Sequence, residues 1–119
     1  MTLIPSQMLK GTLEGCILKV ISFTETYGYE ISQQLQAYGF VDISEGTIYP
    51  LLLRLEKNGL ISAQYRQSAV GPKRKYFSIT PAGEGELELF LGHWQELQQA
   101  VNKLFQIGGQ QDVQGNEGA

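Results

Sequence analysis

A short run of basic residues, Lys73-Arg74-Lys75, stands directly after Gly71-Pro72. Glycine followed by proline is typical of a sharp turn, which would hold the three cations at an exposed tip. Lysine and arginine donate charge-assisted hydrogen bonds to phosphate oxygens and neutralise phosphate charge. The run therefore indicates a phosphate contact, whereas the same run without a neighbouring binding surface would be ordinary solvated charge.

A second group of candidate residues lies on one side of a predicted helix that begins after Ser44, a residue type that caps helix N-termini. The recognition helix of a helix-turn-helix enters the major groove of DNA with its N-terminal residues against the base edges. We expect Thr47 to approach a base and Tyr49 a base or a phosphate, while Arg54 and Lys57, further along, contact the backbone. The DNA-contact candidates of this segment are Ser44, Gly46, Thr47, Tyr49, Pro50, Arg54 and Lys57.

Pro50 is unusual inside this predicted helix. Proline has no backbone N–H, and its ring crowds the carbonyl four residues earlier, which here belongs to Gly46. Either the regular helix starts later than Ser44 or its first turn is distorted. Both alternatives leave free N–H groups at the start of a helix, where phosphate binds readily.

The charge of the chain is unevenly distributed. The formal net charge is −3, which by itself argues against a nucleic-acid partner. Residues 47–80, however, contain six basic residues and one acidic residue, a net of +5, and residues 81–119 contain one basic and six acidic residues, a net of −5. A basic middle and an acidic C-terminal third imply two surfaces with different roles.

The elements that would position these residues follow from the spacing of apolar side chains and from helix and turn signals. The predicted order is a helix over 9–21, a helix over 28–39, a small strand at 41–43, a helix over 44–58, strands over 60–66 and 75–79, and a long helix from Pro81 to about Gln106, capped by Thr80. Three helices and a hairpin indicate an α+β fold, the winged helix-turn-helix. We expect a DNA-binding domain at 1–80, a dimerisation helix at 81–107 and a disordered tail at 108–119.

The last predicted helix carries an apolar seam whose members are spaced alternately by three and four residues. This spacing is the signature of helix–helix association. A helix of this length cannot bury both faces on so small a domain, so we expect it to form a homodimer by packing against the partner's first or last helix. The seam consists of Leu87, Phe90, Trp94, Leu97, Val101 and Leu104.

Five segments together resemble the PadR family of bacterial transcription regulators. They are YGYEI at 27–31, SEGTIYPLL at 44–52, RLEKNGLI at 54–61, GPKRKYF at 71–77 and ITPAG at 79–83, and the match extends over about 7–105. The resemblance implies a dimer of winged helices, usually a repressor, that binds an inverted-repeat operator in double-stranded DNA. It also implies that Thr47 and Tyr49 approach the DNA and that Lys73 and Arg74 belong to the wing.

The resemblance is to the short branch of that family, which has a single C-terminal helix and lacks the longer C-terminal domain of the phenolic-acid-sensing founders. It allows two interpretations of Trp94. The side chain is an anchor of the dimer interface, as tryptophan often is, or it is the wall of a pocket for a planar aromatic effector, as in multidrug-binding members of the branch. We favour the first.

Other classes of function find little support in the sequence. One cysteine excludes an intrachain disulfide. One cysteine and one histidine fall short of the four Cys/His ligands that a structural zinc site normally needs, so we expect no metal and no cofactor. Cys16 is expected to be a buried small hydrophobe.

No set of residues with the types and spacing of a catalytic site stands out. Neither a signal peptide nor a membrane span is predicted, which favours the cytoplasm. The rival to DNA binding is a winged helix used for protein–protein contact.

Overall fold

The computed structural model describes residues 4–108 of the chain. The elements are α1 (Ser6–Leu9), α2 (Leu13–Phe23), β1 (Thr26–Tyr27), α3 (Gly28–Ala37), α4 (Glu45–Lys57), β2 (Ile61–Arg66), β3 (Arg74–Ile79) and α5 (Pro81–Phe105). The three strands form one antiparallel sheet in the order β1-β3-β2. The predicted α+β class, a winged helix-turn-helix followed by a long helix, is confirmed.

The segment predicted to form the first helix is divided between two helices, α1 and α2. α1 ends at Leu9 and α2 begins at Leu13, because Gly11 between them has a φ of +91°, outside the helical region. The Thr12 hydroxyl donates to the Leu9 carbonyl over 2.8 Å and closes the turn. The apolar spacing continues through this break, so periodicity alone does not reveal it.

The prediction of a small strand at 41–43 is wrong. This segment is a turn in which the Ile43 N–H donates to the Phe40 carbonyl over 3.1 Å, and Ile43 is buried in the core. The third strand of the sheet is β1, where Thr26 pairs with Phe77 and Tyr27 pairs with Tyr76. Two residues are too few to show a strand pattern in a sequence.

The core lies between α2, α3, α4 and the inner face of the sheet, and it is almost entirely aliphatic. Its buried apolar members are Leu13, Ile17, Leu18, Val20, Ile21, Ile31, Leu35, Ile43, Ile48, Leu52, Leu55, Ile61 and Phe77. Cys16 is partly buried and packs against this cluster, and burial raises the pKa of its thiol. A raised pKa keeps the thiol protonated at neutral pH, as expected of a small hydrophobe rather than a reactive cysteine.

The start of α5 is fixed to the end of α4. The Thr80 hydroxyl accepts from the Gly83 N–H at 3.0 Å, which confirms Thr80 as the cap, and it donates to the Gly59 carbonyl at 2.7 Å. Gly83 is buried, and a Cβ at this position would collide with the Leu60 carbonyl oxygen and lie 2.8 Å from Ile79 Cγ1. Glycine is therefore required here by close packing.

The chain divides into two compact units, Met1–Glu88 and Leu89–Ala119. The first contains the winged helix and the beginning of α5, and the second contains the rest of α5, which ends one residue before the predicted Gln106. Apart from Gly108, the predicted disordered tail lies outside the described residues. None of the helices in residues 4–108 combines the length and apolar character needed to cross a membrane.

Candidate nucleic-acid interface

The N-terminus of α4 is built to present hydrogen-bond donors. The Ser44 hydroxyl accepts from the Thr47 N–H at 3.4 Å, and the two hydroxyl oxygens lie 3.1 Å apart. The N–H groups of Glu45 and Gly46 precede the first bonds of the helix, so they have no intrahelical acceptor. Together with the helix dipole, these groups form a site that favours an anion such as a phosphate.

Pro50 lies inside α4 without breaking it. Of the two alternatives for this helix, a late start is wrong, because α4 begins at Glu45, immediately after the cap. In the first turn, the Thr47 and Ile48 N–H groups both donate to the Ser44 carbonyl, at 3.0 and 3.2 Å. This mixed bonding tightens the turn. The missing N–H of Pro50 leaves the Gly46 carbonyl without its helical donor, so that carbonyl is available as an acceptor on the exposed side.

The two faces of α4 are separated cleanly. Ile48, Leu52 and Leu55 are buried in the core. The opposite face consists of exposed residues and includes every candidate that the sequence singled out in this segment: Ser44, Gly46, Thr47, Tyr49, Pro50, Arg54 and Lys57. Leu53 also lies on this face and is 43% exposed. It was missed in the sequence because an apolar residue in a helix is expected to face the core.

Arg54 is exposed but already has a partner. Its guanidinium forms an ion pair with Glu14 of α2, to which Nε donates over 2.6 Å. The side chain of Arg54 is 61% exposed, so the group remains accessible from outside. A DNA phosphate would compete with Glu14 for this cation.

The three consecutive cations lie in the wing, which is defined here as β2, β3 and the loop 67–73. Their side chains do not share one surface. Side chains along a strand point alternately to opposite faces. Lys75 lies on the face of Phe77, against α4, where its Nζ is 3.0 Å from Glu56 and its side chain is only 19% exposed. The expectation that Lys75 is exposed at the tip is therefore wrong. The Glu56 carboxylate raises the pKa of Lys75, mainly through their hydrogen bond.

Arg74 lies on the opposite face of the sheet. Its guanidinium is 4.4 Å from the centre of the Tyr27 ring, a cation–π contact, and a hydrogen bond with Tyr76 raises its pKa. The Tyr27 and Tyr76 rings meet edge to face with centres 5.3 Å apart, and Arg66 lies 5.4 Å from the Tyr76 ring. The aromatic pair thus supports one arginine at each side.

The tip of the wing is closed by its own polar side chains. Gln67 Nε2 donates to the Gly71 carbonyl over 3.2 Å, and the Ser68 hydroxyl lies 2.8 Å from the Pro72 carbonyl oxygen. Lys73 is exposed beside this turn. The Gly71-Pro72 turn therefore exposes Lys73 and Arg74, as predicted for these two residues.

Ion pairs neutralise half of the basic residues in the stretch 47–80. Arg54 pairs with Glu14, Arg66 with Glu25 at 2.6 Å, and Lys75 with Glu56. Within residues 4–108, Lys57, Lys73 and Arg74 are the cations of this stretch that have no carboxylate within 4.0 Å. These three cations carry the positive charge of the stretch that no ion pair compensates.

A metal centre finds no support in the same part of the chain. Across residues 4–108, histidine, cysteine, aspartate and glutamate side chains form no cluster of three that could hold a metal ion. The geometry thus consists of a capped helix N-terminus, an exposed polar helix face and a wing with two accessible cations.

Comparison with known proteins relates this geometry to a family. The model of the transcriptional regulator PadR-like family matches residues 17–89. A transcriptional regulator of Mycobacterium tuberculosis is 34% identical over 100 residues, which cover 84% of this chain and 87% of that protein.

Solved structures agree with the family match. The crystal structure of a PadR-like transcriptional regulator from Bacillus cereus is 53% identical, with a TM-score of 0.76 and coverage of 84% of this chain and 97% of that one. The crystal structure of a Streptococcus transcriptional regulator is 48% identical, with a TM-score of 0.74, and the match covers 84% of this chain and 98% of that one. The exposed helix face and the two-cation wing thus belong to a member of the PadR-like family of transcriptional regulators.

Proposed function

We propose that this regulator binds an inverted-repeat operator in double-stranded DNA as a homodimer and represses transcription by covering promoter DNA in the cytoplasm. The observations that carry the proposal are the exposed N-terminal half of α4, with its free N–H groups, and the uncompensated cations of the wing. Phosphate contacts supply affinity, and base contacts supply sequence preference.

The side chains proposed to read bases are Thr47 and Tyr49. Both are exposed near the start of α4, which is the part of a recognition helix that meets base edges. Leu53 lies one turn after Tyr49 and is suited to apolar contact with a thymine methyl group. The proposal assigns phosphate binding to Lys57, Lys73 and Arg74, whereas Ser44, Gly46 and Pro50 shape the helix start.

The proposed dimer is supported by the apolar character of α5. Trp94 and Val101 are each 40% exposed, Leu97 is 54% exposed and Leu104 is 82% exposed. Phe90 is half-buried, and Leu87 packs against the core of the first unit. Apolar side chains repeated at this spacing are covered by a second helix in coiled coils. The pairing would hold two recognition helices about one DNA turn, ~34 Å, apart.

Trp94 remains open to two roles within this proposal. As an interface anchor it is covered by the partner, and as a pocket wall it stacks on a planar aromatic effector. An effector releases DNA only if it binds two conformers of the dimer with different affinity. Trp94 fluorescence on titration with a planar aromatic dye separates the two roles, because an interface anchor is not quenched.

The proposal is tested by truncating the two base-reading side chains. Thr47→Ala and Tyr49→Ala are each expected to lose about 1–3 kcal/mol of discrimination between operator and random DNA, the usual size of a good base contact. Tyr38→Ala is the control, because Tyr38 is 71% exposed at the end of α3 and is not one of the proposed DNA-contact residues. Equal losses on operator and random DNA would show that Thr47 and Tyr49 do not read sequence.

The alternative function is a winged helix that binds a protein, which the net charge of −3 favours. The double variant Lys73→Glu/Arg74→Glu distinguishes the two. Reversing both charges should abolish duplex binding at low ionic strength if the wing contacts phosphates. Unchanged duplex binding, or a wild-type protein that ignores duplex DNA, would favour the alternative.

A further inference from the structure

A cavity of about 410 Å³ lies beside the recognition helix α4, inside the first compact unit. Its walls come from the N-terminal segment that includes α1 and the start of α2, from the turn at 39–43, and from α4. The volume lies within the range of about 300–1,000 Å³ that is typical of small-molecule sites. This cavity is separate from Trp94, which does not line it.

The floor of the cavity is apolar, and its rim is polar. The floor is formed by Leu9, Leu13, Phe40, Ile43 and Leu51. Two cations and two carboxylates also line the cavity, namely Lys10, Arg54, Glu14 and Asp42. Two positive and two negative side chains cancel, so the lining carries no net charge. The Arg54 guanidinium is, in addition, already paired with Glu14. A charged ligand would therefore gain no balancing charge, whereas a neutral one would bury apolar surface and reach polar groups at the rim.

We propose that this cavity binds a neutral, largely apolar molecule of two or three rings and that this molecule acts as an effector of DNA binding. The effector role rests on the function proposed above, since Thr47 and Arg54 belong both to the cavity lining and to the proposed DNA face. Binding sites with this combination of apolar walls and a few convergent polar groups are the usual form of small-molecule sites.

The predicted direction of the coupling follows from the Arg54–Glu14 ion pair. A ligand in the cavity covers this pair on one side and removes water, and the attraction between opposite charges is stronger where water is excluded. Arg54 is then held on Glu14 and is less available to a phosphate. The ligand therefore weakens DNA binding, and by thermodynamic reciprocity DNA weakens ligand binding by the same factor.

Occupancy is tested with N-phenyl-1-naphthylamine, a neutral compound of three aromatic rings (a naphthyl and a phenyl group) whose fluorescence rises in apolar surroundings. Val41→Trp places a large side chain at the cavity from a position that is 40% exposed, so the fold should tolerate it. Ala37→Trp is the matched control on exposed surface outside the lining. We expect the probe to bind wild type, Ala37→Trp and Trp94→Ala alike, and to bind Val41→Trp at least tenfold more weakly.

Equal binding of the probe to Val41→Trp and wild type, or loss of binding in Trp94→Ala alone, would overturn the cavity as the site. A change of oligomeric state in Val41→Trp, measured by sedimentation, would identify the cavity as a surface between copies of the chain and would also overturn it. Circular dichroism confirms that each variant is folded.

The effector role is tested by measuring operator affinity with and without saturating probe. We expect a decrease of about fivefold or more, a common size for such coupling, in wild type and none in Val41→Trp. A wild type that binds DNA equally well in both conditions would overturn the effector role while leaving the DNA-binding proposal intact. A protein that binds no DNA even without probe would instead contradict the proposed function itself.

Discussion

Arg54 Nε in α4 donates to the Glu14 carboxylate in α2 over 2.6 Å, although forty residues separate the two in the sequence. The contact joins the exposed end of the recognition helix to the N-terminal helix of the core. It also reduces the charge that α4 offers to DNA. If Arg54 binds a phosphate, as proposed, Glu14 competes with the DNA for this cation, and the affinity for DNA depends partly on the ion pair.

Glu14→Gln should strengthen DNA binding. Removing the carboxylate charge frees Arg54 for a phosphate, and because exposed ion pairs are worth at most about 1 kcal/mol, the gain should be about two- to fivefold. Fluorescence anisotropy with operator DNA measures it. The same substitution in an Arg54→Ala background is the control and should have no effect. A gain that persists without Arg54 would show that Glu14 acts by general repulsion of DNA.

Tyr27→Leu should weaken DNA binding several-fold, because the ring that supports the Arg74 guanidinium is lost. Tyr27→Phe keeps the aromatic face and should bind as wild type does. In an Arg74→Ala background, Tyr27→Leu should produce no further loss. Weaker binding by both Tyr27 variants would point to the hydroxyl group, and hence to a direct contact of Tyr27 with DNA.

The salt dependence of DNA binding should distinguish Lys73 from Lys75. Each phosphate contact contributes about 0.9 to the slope of log K against log salt concentration. Lys73→Ala should reduce the magnitude of that slope by about 1.8 for a dimer, two contacts at this value. Lys75→Ala should change it far less, because Lys75 is paired with Glu56 and mostly covered. Equal changes for the two variants would mean that the Lys75–Glu56 pair opens on DNA.

Gly83→Ala should destabilise the fold, whereas Gly85→Ala should stabilise it. A Cβ at position 83 would collide with the Leu60 carbonyl, and a Cβ at position 85 meets nothing within 4 Å. Overpacking of this kind costs about 1–3 kcal/mol, and replacing an exposed helical glycine with alanine gains about 0.5–1 kcal/mol. Urea denaturation of both variants measures the two free energies of unfolding. A stable Gly83→Ala variant would contradict the close approach of α5 to Leu60.

The sequence contained enough information to predict α4, because its cap, its buried spacing and its end are all local signals. It also contained the signal for Lys75, since strand alternation places position 75 on the same face as Phe77. The prediction that Lys75 is exposed at the tip of the wing did not take that alternation into account. By contrast, β1 exists only because Thr26 and Tyr27 pair with residues fifty positions away, and no local pattern encodes such a pairing. The Glu14–Arg54 contact is unpredictable for the same reason.

The family assignment also decides between the broad classes considered for this chain. PadR-like regulators are winged-helix DNA-binding proteins and not enzymes. The local motifs that carried the resemblance occupy the matched region, including the helix start at 44–52 and the wing. The roles of individual residues in DNA contact stay predictions, which the variants above test.

In the stem of the wing, β3 is paired on both sides, with β1 and with β2, and the tip of the wing forms hydrogen bonds within itself. We therefore expect that the loop 67–73 can be replaced as a unit. A donor loop of different length or charge, joined at Arg66 and Arg74, could be grafted without disturbing the hydrophobic interior. The strength and salt dependence of DNA binding could then be changed at the tip while the residues proposed to read bases in α4 stay the same.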